Sequence, residues 1–105
     1  MADVSAKVIE ALTVLEPGGD VDAKLAKVVD EALARRLHHY QYIDRRMQQK
    51  YGMPFAEFRG RRVVAQRSYG FEVESDFWEW ELAVDGIATI ERRLSELRQA
   101  ADDGC

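Results

Sequence analysis

No glycine or proline stands between Asp20 and Tyr51, and that span carries one continuous apolar stripe. The stripe is Val21, Leu25, Val29, Leu33, Leu37, Tyr40, Ile43, Met47 and Tyr51, at steps of 4, 4, 4, 4, 3, 3, 4 and 4. Such spacing is the period of an α-helix, not of a strand. A helix over 20–51 is about 48 Å long at 1.5 Å per residue. A compact domain of 105 residues has a radius of gyration of about 13 Å and a diameter of roughly 26–34 Å. The helix outruns that diameter. It must therefore be covered by a second helix folded back along it, by a second copy of the chain, or by both. The expected fold is all-α, a helical hairpin with coiled-coil-like dimerisation through the long-helix stripe.

The remaining elements are read around this one, within a single domain over 1–105. Residues 3–16 repeat Val4, Val8, Ala11, Leu12 and Leu15 at helical spacing, and Pro17-Gly18-Gly19 ends that helix. Asp20 is placed as the N-cap of the long helix, and Gly52 as its stop. Residues 52–74 read as a linker with one helical turn at Pro54-Phe55-Ala56-Glu57-Phe58. Within it, Val63-Val64-Ala65 fits either a continued helix or a short extended piece. A closing helix is expected over 75–100, with Asp76 and Glu79 forming a capping pair. Its apolar residues Phe77, Trp80, Val84, Ile87, Ile90, Leu94 and Leu97 step by 3, 4, 3, 3, 4 and 3. The two successive threes at Ile87 read as a skipped phase in a heptad. The seam is thus Leu33, Leu37, Tyr40, Ile43 and Met47 against Phe77, Trp80, Val84 and Ile87.

Charge is distributed in blocks. Residues 1–34 sum to −4, residues 35–67 to +7 and residues 68–105 to −7, which together give the net −4. This layout can neutralise itself by folding, pair copies head to tail, or present two charged surfaces to two partners. No apolar run approaches the roughly 18 residues of a membrane span. The first residues lack the basic and apolar regions of a signal peptide. The single cysteine, Cys105, makes no internal disulfide. A cytoplasmic protein is expected.

Signatures of catalysis are missing from the pattern. His38 and His39 are adjacent, so on a helix they point about 100° apart and do not converge on one metal. Glycine-rich phosphate loops and activated nucleophiles are not found. The carboxylate pairs read as a solvated acidic face. The chain is expected to be no enzyme and to need no cofactor or metal.

What stands out is Phe71–Glu81, which holds five carboxylates, both tryptophans and two of the four phenylalanines. Large aromatics are costly to leave in water, and dense carboxylates are costly to bury without basic partners. Phe77 and Trp80 share the seam's phase. That leaves Glu72, Glu74, Asp76, Trp78, Glu79 and Glu81 as candidate partner-binding residues. The preceding arginines, Arg59, Arg61, Arg62 and Arg67, together with Arg35/Arg36 and Arg45/Arg46, fit either nucleic-acid phosphates or the chain's own acidic helix.

Two phrases carry a resemblance: Lys50-Tyr51-Gly52-Met53-Pro54-Phe55-Ala56-Glu57-Phe58 and Val73-Glu74-Ser75-Asp76-Phe77-Trp78-Glu79-Trp80-Glu81. Together they resemble a family of small prokaryotic helical proteins with the order long helix, KYGMxFxEF, EVExDxWEWE and closing helix. The similarity spans roughly residues 25–98, although the arginine-rich Gly60-Arg61-Arg62-Val63-Val64 departs from the pattern. It implies an antitoxin-like protein of a toxin–antitoxin operon, whose partner is a cognate small toxin. A nucleic-acid-binding regulator and a structural coiled-coil adaptor are the competing expectations.

Overall fold

The computed structural model describes residues 5–103, with side chains described over 5–100. Residues 3 and 4 of the expected first helix, and Cys105, lie outside the described residues. Five helices and no strand are found among them: α1 (Ala6–Leu15), α2 (Val21–Tyr51), α3 (Phe55–Gly60), α4 (Val63–Gln66) and α5 (Phe71–Asp103). The expected all-α hairpin is the observed architecture, with α2 and α5 antiparallel along its length. The molecule measures 55 × 29 × 24 Å with a radius of gyration of 19.1 Å. Among the described residues no helix is long and apolar enough to cross a membrane.

Local chemistry sets the ends of α2. The Asp20 Oδ1 accepts the Ala23 N–H at 2.8 Å, which satisfies one of the free donors of the first turn. At the other end Gly52 adopts φ 69°, the left-handed conformation that glycine takes at least cost, and its N–H bonds the Gln48 carbonyl. Upstream, α1 packs on α2 and not on α5. It buries Leu12, and its Thr13 Oγ1 accepts from the buried Lys24 Nζ at 3.0 Å.

The closing helix differs from expectation. It starts at Phe71, not at Ser75, so Val73 belongs to the core and not to a linker. Glu72 and Glu74 stand in its first turn, where carboxylates complement the helix dipole. Asp76 therefore caps nothing. Gly86 lies within this helix, and the Tyr40 ring packs against its bare Cα.

The phase skip at Ile87 is also corrected. Among the buried and half-buried residues on α5, Val73, Asp76, Trp80, Ala83, Ile87, Ile90, Leu94 and Leu97 follow at steps of 3, 4, 3, 4, 3, 4 and 3, with Phe77, Glu81, Val84 and Gly86 half-buried beside them. On α2, Leu33, Leu37, Tyr40, Asp44, Met47 and Tyr51 follow at steps of 4, 3, 4, 3 and 4, with Ala34, Gln41 and Ile43 flanking them. Both are unbroken heptads of the coiled-coil kind. Three members escaped the apolar pattern because they are Asp44, Asp76 and the small, fully buried Ala83. Phe77, placed on the seam by spacing, turns instead toward α3, with ring centroids 5.6 Å from Phe55 and 6.3 Å from Phe58. Ile43 is buried and Val84 half-buried beside the heptads.

The two seam carboxylates make a reciprocal clasp. Asp44 of α2 accepts the Trp80 indole N–H of α5 at 2.8 Å. Asp76 of α5 accepts the Tyr51 hydroxyl of α2 at 2.5 Å. Between them the Tyr51 and Trp80 rings stack at 5.9 Å, tilted by 17°. Phe58, fully buried, closes the cluster from α3, with its ring 4.9 Å from Trp80 and 4.7 Å from Tyr51. Burying such a phenylalanine contributes about 1.5–3 kcal/mol. A polar group in a helical seam prefers the one register that satisfies it, so the clasp fixes how α5 slides along α2.

Candidate interaction surfaces

At the closed end of the hairpin, α3 and α4 stand against the start of α5. The chain turns into and out of α4 through three non-glycine residues in the left-handed region: Arg62 at φ 54°, Ser68 at φ 57° and Tyr69 at φ 55°. Left-handed backbone costs such residues roughly 1–2 kcal/mol each. Arg62 and Tyr69 both line a groove of about 430 Å³. Its aliphatic and phenylalanine lining is Phe58, Val63, Val64, Ala65 and Phe77. The α3–α4 side contributes Arg59, Arg62 and Tyr69, and the α5 side contributes Glu74 and Trp78.

The groove thus gathers members of both predicted sets. Arg59 and Arg62, from the basic tract, meet Glu74 and Trp78, from the acidic–aromatic tract. Trp78 is 65% exposed, and Tyr69, which sequence reasoning passed over, is 64% exposed. Along α5 the open apolar surface extends in both directions. Phe71 is 88% exposed and Leu82 61%, and helical phase sets Phe71, Glu74, Trp78 and Leu82 on one face.

Other predicted residues are engaged within the chain. Lys50 Nζ reaches Glu72 Oε1 at 2.5 Å and Asp76 Oδ2 at 2.7 Å. Burial pushes the Asp76 carboxyl up, but the hydrogen bonds from Lys50 and Tyr51 outweigh it and hold the group below the usual carboxylate value. Burial, then the bond to Asp76, pushes the Tyr51 hydroxyl up to about 12. The hydrogen bonds to Asp76 and then to Glu72 raise Lys50. Asp76 is therefore a structural residue, half-buried at a seam position, and not an open partner contact. Glu72 stays exposed while holding Lys50. Glu79 is exposed and Glu81 half-buried, and neither has an ion-pair partner among the described residues.

The arginines divide in the same way. Arg61 pairs with Glu57 one turn away at 2.9 Å, and Arg67 lies over the Tyr51 ring at 5.0 Å. Arg59 and Arg62 have no carboxylate partner among the described residues. Self-neutralisation by folding, one of the three uses open to the charge blocks, is slight: among the described residues only Lys50 joins the basic middle to the acidic helix by ion pairs. Arg59, Arg62 and Glu74 share the groove, while the arginines of α2 stand on another surface. One signal in the sequence pointed to the groove: Trp78 stands out of phase with Trp80. Tyr69 gave none, because a tyrosine does not announce a left-handed backbone. No family model, curated protein or solved structure matches this chain.

Proposed function

We propose that this protein is a non-catalytic antitoxin that binds a cognate small toxin and blocks it stoichiometrically. The reading rests on the family resemblance together with one observation. Trp78 and Tyr69 stand mostly in water on either side of a groove whose lining is apolar. Isolated exposed aromatics are ordinary, but an apolar groove bordered by two of them and by charges is the anatomy of a binding hot spot. Glu74, Glu79 and Glu81 lie on or beside this face and supply negative charge. A toxin that acts on RNA has a basic site, and these carboxylates would occupy it in place of phosphates while Trp78 provides anchoring area. Glu72 and Asp76 act indirectly, by fixing the start of α5 through Lys50.

The test is capture of the neighbouring gene product by the purified protein. The Trp78→Ala, Glu79→Lys double variant should lose at least about tenfold in affinity, the scale of a hot-spot truncation. Its melting temperature should stay near that of the parent, because both side chains are exposed. Equal binding by parent and variant would sink the masking model. Growth rescue on co-expression with the neighbour separates this reading from a structural adaptor, which would bind without rescuing.

A further inference from the structure

The second charged surface lies on α2 and belongs to none of the residues of the groove. Arg35, His38, Tyr42, Arg45 and Gln49 follow at steps of 3, 4, 3 and 4, which is one helical stripe. All five are exposed, as is Arg46 beside them, and Tyr42 is 55% exposed. The same stripe begins upstream with Lys24, which α1 covers, and it becomes open where α1 ends.

Acids reach this surface only at its margins: Glu31 stands exposed one turn before Arg35, and Asp76 of α5 feels the charge of Arg46. Between Glu31 and Glu57 the only carboxylate is Asp44, and it is held in the seam by Trp80 and bonded by Gln48. Arg35, Arg45 and Arg46 have no ion-pair partner among the described residues, in a chain that carries 19 acidic residues. A fold with carboxylates in surplus that leaves three arginines unpaired on one helix face presents that face to an anion outside itself. Arg35 and Arg45 are ten residues apart, about 15 Å along the axis at 1.5 Å per residue. That is close to the roughly 12 Å width of a duplex major groove, with Tyr42 between the two cations as a surface for stacking.

We propose that the outward face of α2 binds the phosphate backbone of a nucleic acid through Arg35, Arg45 and Arg46. The face is separate from the acidic–aromatic groove, so the inference stands whether or not the partner of that groove is a toxin. Binding is sequence-tolerant, because the arginines reach phosphates and not base edges.

The full-length protein is titrated by fluorescence anisotropy against a short mixed-sequence duplex DNA and a single-stranded RNA of equal length. Between about 50 and 200 mM salt, three phosphate contacts on duplex DNA give a log–log slope near −2.7. Arg45→Gln with Arg46→Gln should reduce the magnitude of the slope by about 1.8 and weaken binding at low salt at least tenfold. The charge-matched Arg92→Gln, Arg93→Gln variant, altered on α5, should keep the parent slope. Tyr42→Ala should weaken the single strand more than the duplex if the ring stacks on bases. Loss of Tyr42 without any such difference would overturn its role, and no salt-dependent binding at low salt would overturn the proposal. So would equal weakening by the two arginine doubles, which reports net charge alone. Sedimentation without nucleic acid covers the remaining occupant: a parent dimer dispersed by the Arg45→Gln, Arg46→Gln change would assign the face to a second copy.

Discussion

Four side chains explain why this hairpin has one register. Asp44 and Asp76 stand where a heptad calls for apolar residues, and burying a carboxylate there is unfavourable unless it is hydrogen-bonded. Each finds an aromatic donor on the other helix, so the penalty is offset only when Tyr51 and Trp80 are level with each other. Tyr51→Phe keeps the ring and deletes the donor. It should cost about 1.5–3 kcal/mol in a urea titration at neutral pH, the range for a hydrogen bond to a charged acceptor. The pH dependence follows in sign. Tyr51 is raised to about 12, so its contribution is complete below the ordinary tyrosine value near 10 and is lost as pH rises through 12. Asp76 is lowered, so its contribution is present above the ordinary carboxylate value and is lost as pH falls through the depressed one. The parent should therefore lose more stability than Tyr51→Phe between pH 10 and about 12. Parallel curves for the two proteins across that interval would refute the role given to the hydroxyl.

At the scale of elements, the sequence discloses the long helices, the caps of α2 and the pairing of α2 with α5. It discloses less about the seam. Counting only large apolar residues moves the reading one position off at Ile43 and Val84 and creates a phase skip, because Asp44, Ala83 and Asp76 carry no hydrophobic signal. The start of α5 was hidden for a related reason: the acidic tract after Gly70 looks like a linker until helix-dipole stabilisation of Glu72 and Glu74 is considered. The turns at Ser68 and Tyr69 are not legible at all, since neither residue type favours the left-handed backbone that both adopt. Gly86 shows the opposite case, a local defect with a tertiary reason. A glycine inside a helix costs up to about 1 kcal/mol relative to alanine. An added Cβ would lie 2.5 Å from Tyr40 Cδ2, so the tyrosine ring would have to move. Gly86→Ala should destabilise by about 1–3 kcal/mol, the usual cost of overpacking. In a Tyr40→Ala background the same change should turn stabilising, by up to about 1 kcal/mol, because only helix propensity is left. The same sign in both backgrounds would mean that the ring does not dictate the glycine.

Across the whole molecule, cohesion is unequally distributed along its 55 Å length. The closed end concentrates Tyr51, Phe55, Phe58, Val73 and Trp80 in one apolar, mostly aromatic cluster with both clasp bonds. At the open end α1 buries Leu12, and α5 is tied to α2 by Ile90, Leu94 and the Arg98–Asp30 pair. That pair lies at the surface, where water and salt screen it, so it ties the open end only weakly. The uneven packing has a functional corollary. The groove bordered by Trp78 and Tyr69 is built on the densely packed end, and under the proposed function that packing sets its geometry in advance and lowers the ordering cost of binding. Native-state hydrogen exchange reads this directly. Amides of residues 44–51 and 73–83 should exchange only through global unfolding, near the full stability of about 5–15 kcal/mol typical of domains. Amides of Ala6–Leu15 should exchange through local opening far below that value, and removing residues 1–19 should leave the protection of the clasp within about 1 kcal/mol of the parent. Uniform protection along the chain, or collapse of the clasp on removal of α1, would show that the molecule opens as one cooperative unit and that the groove is not preorganised by the aromatic end.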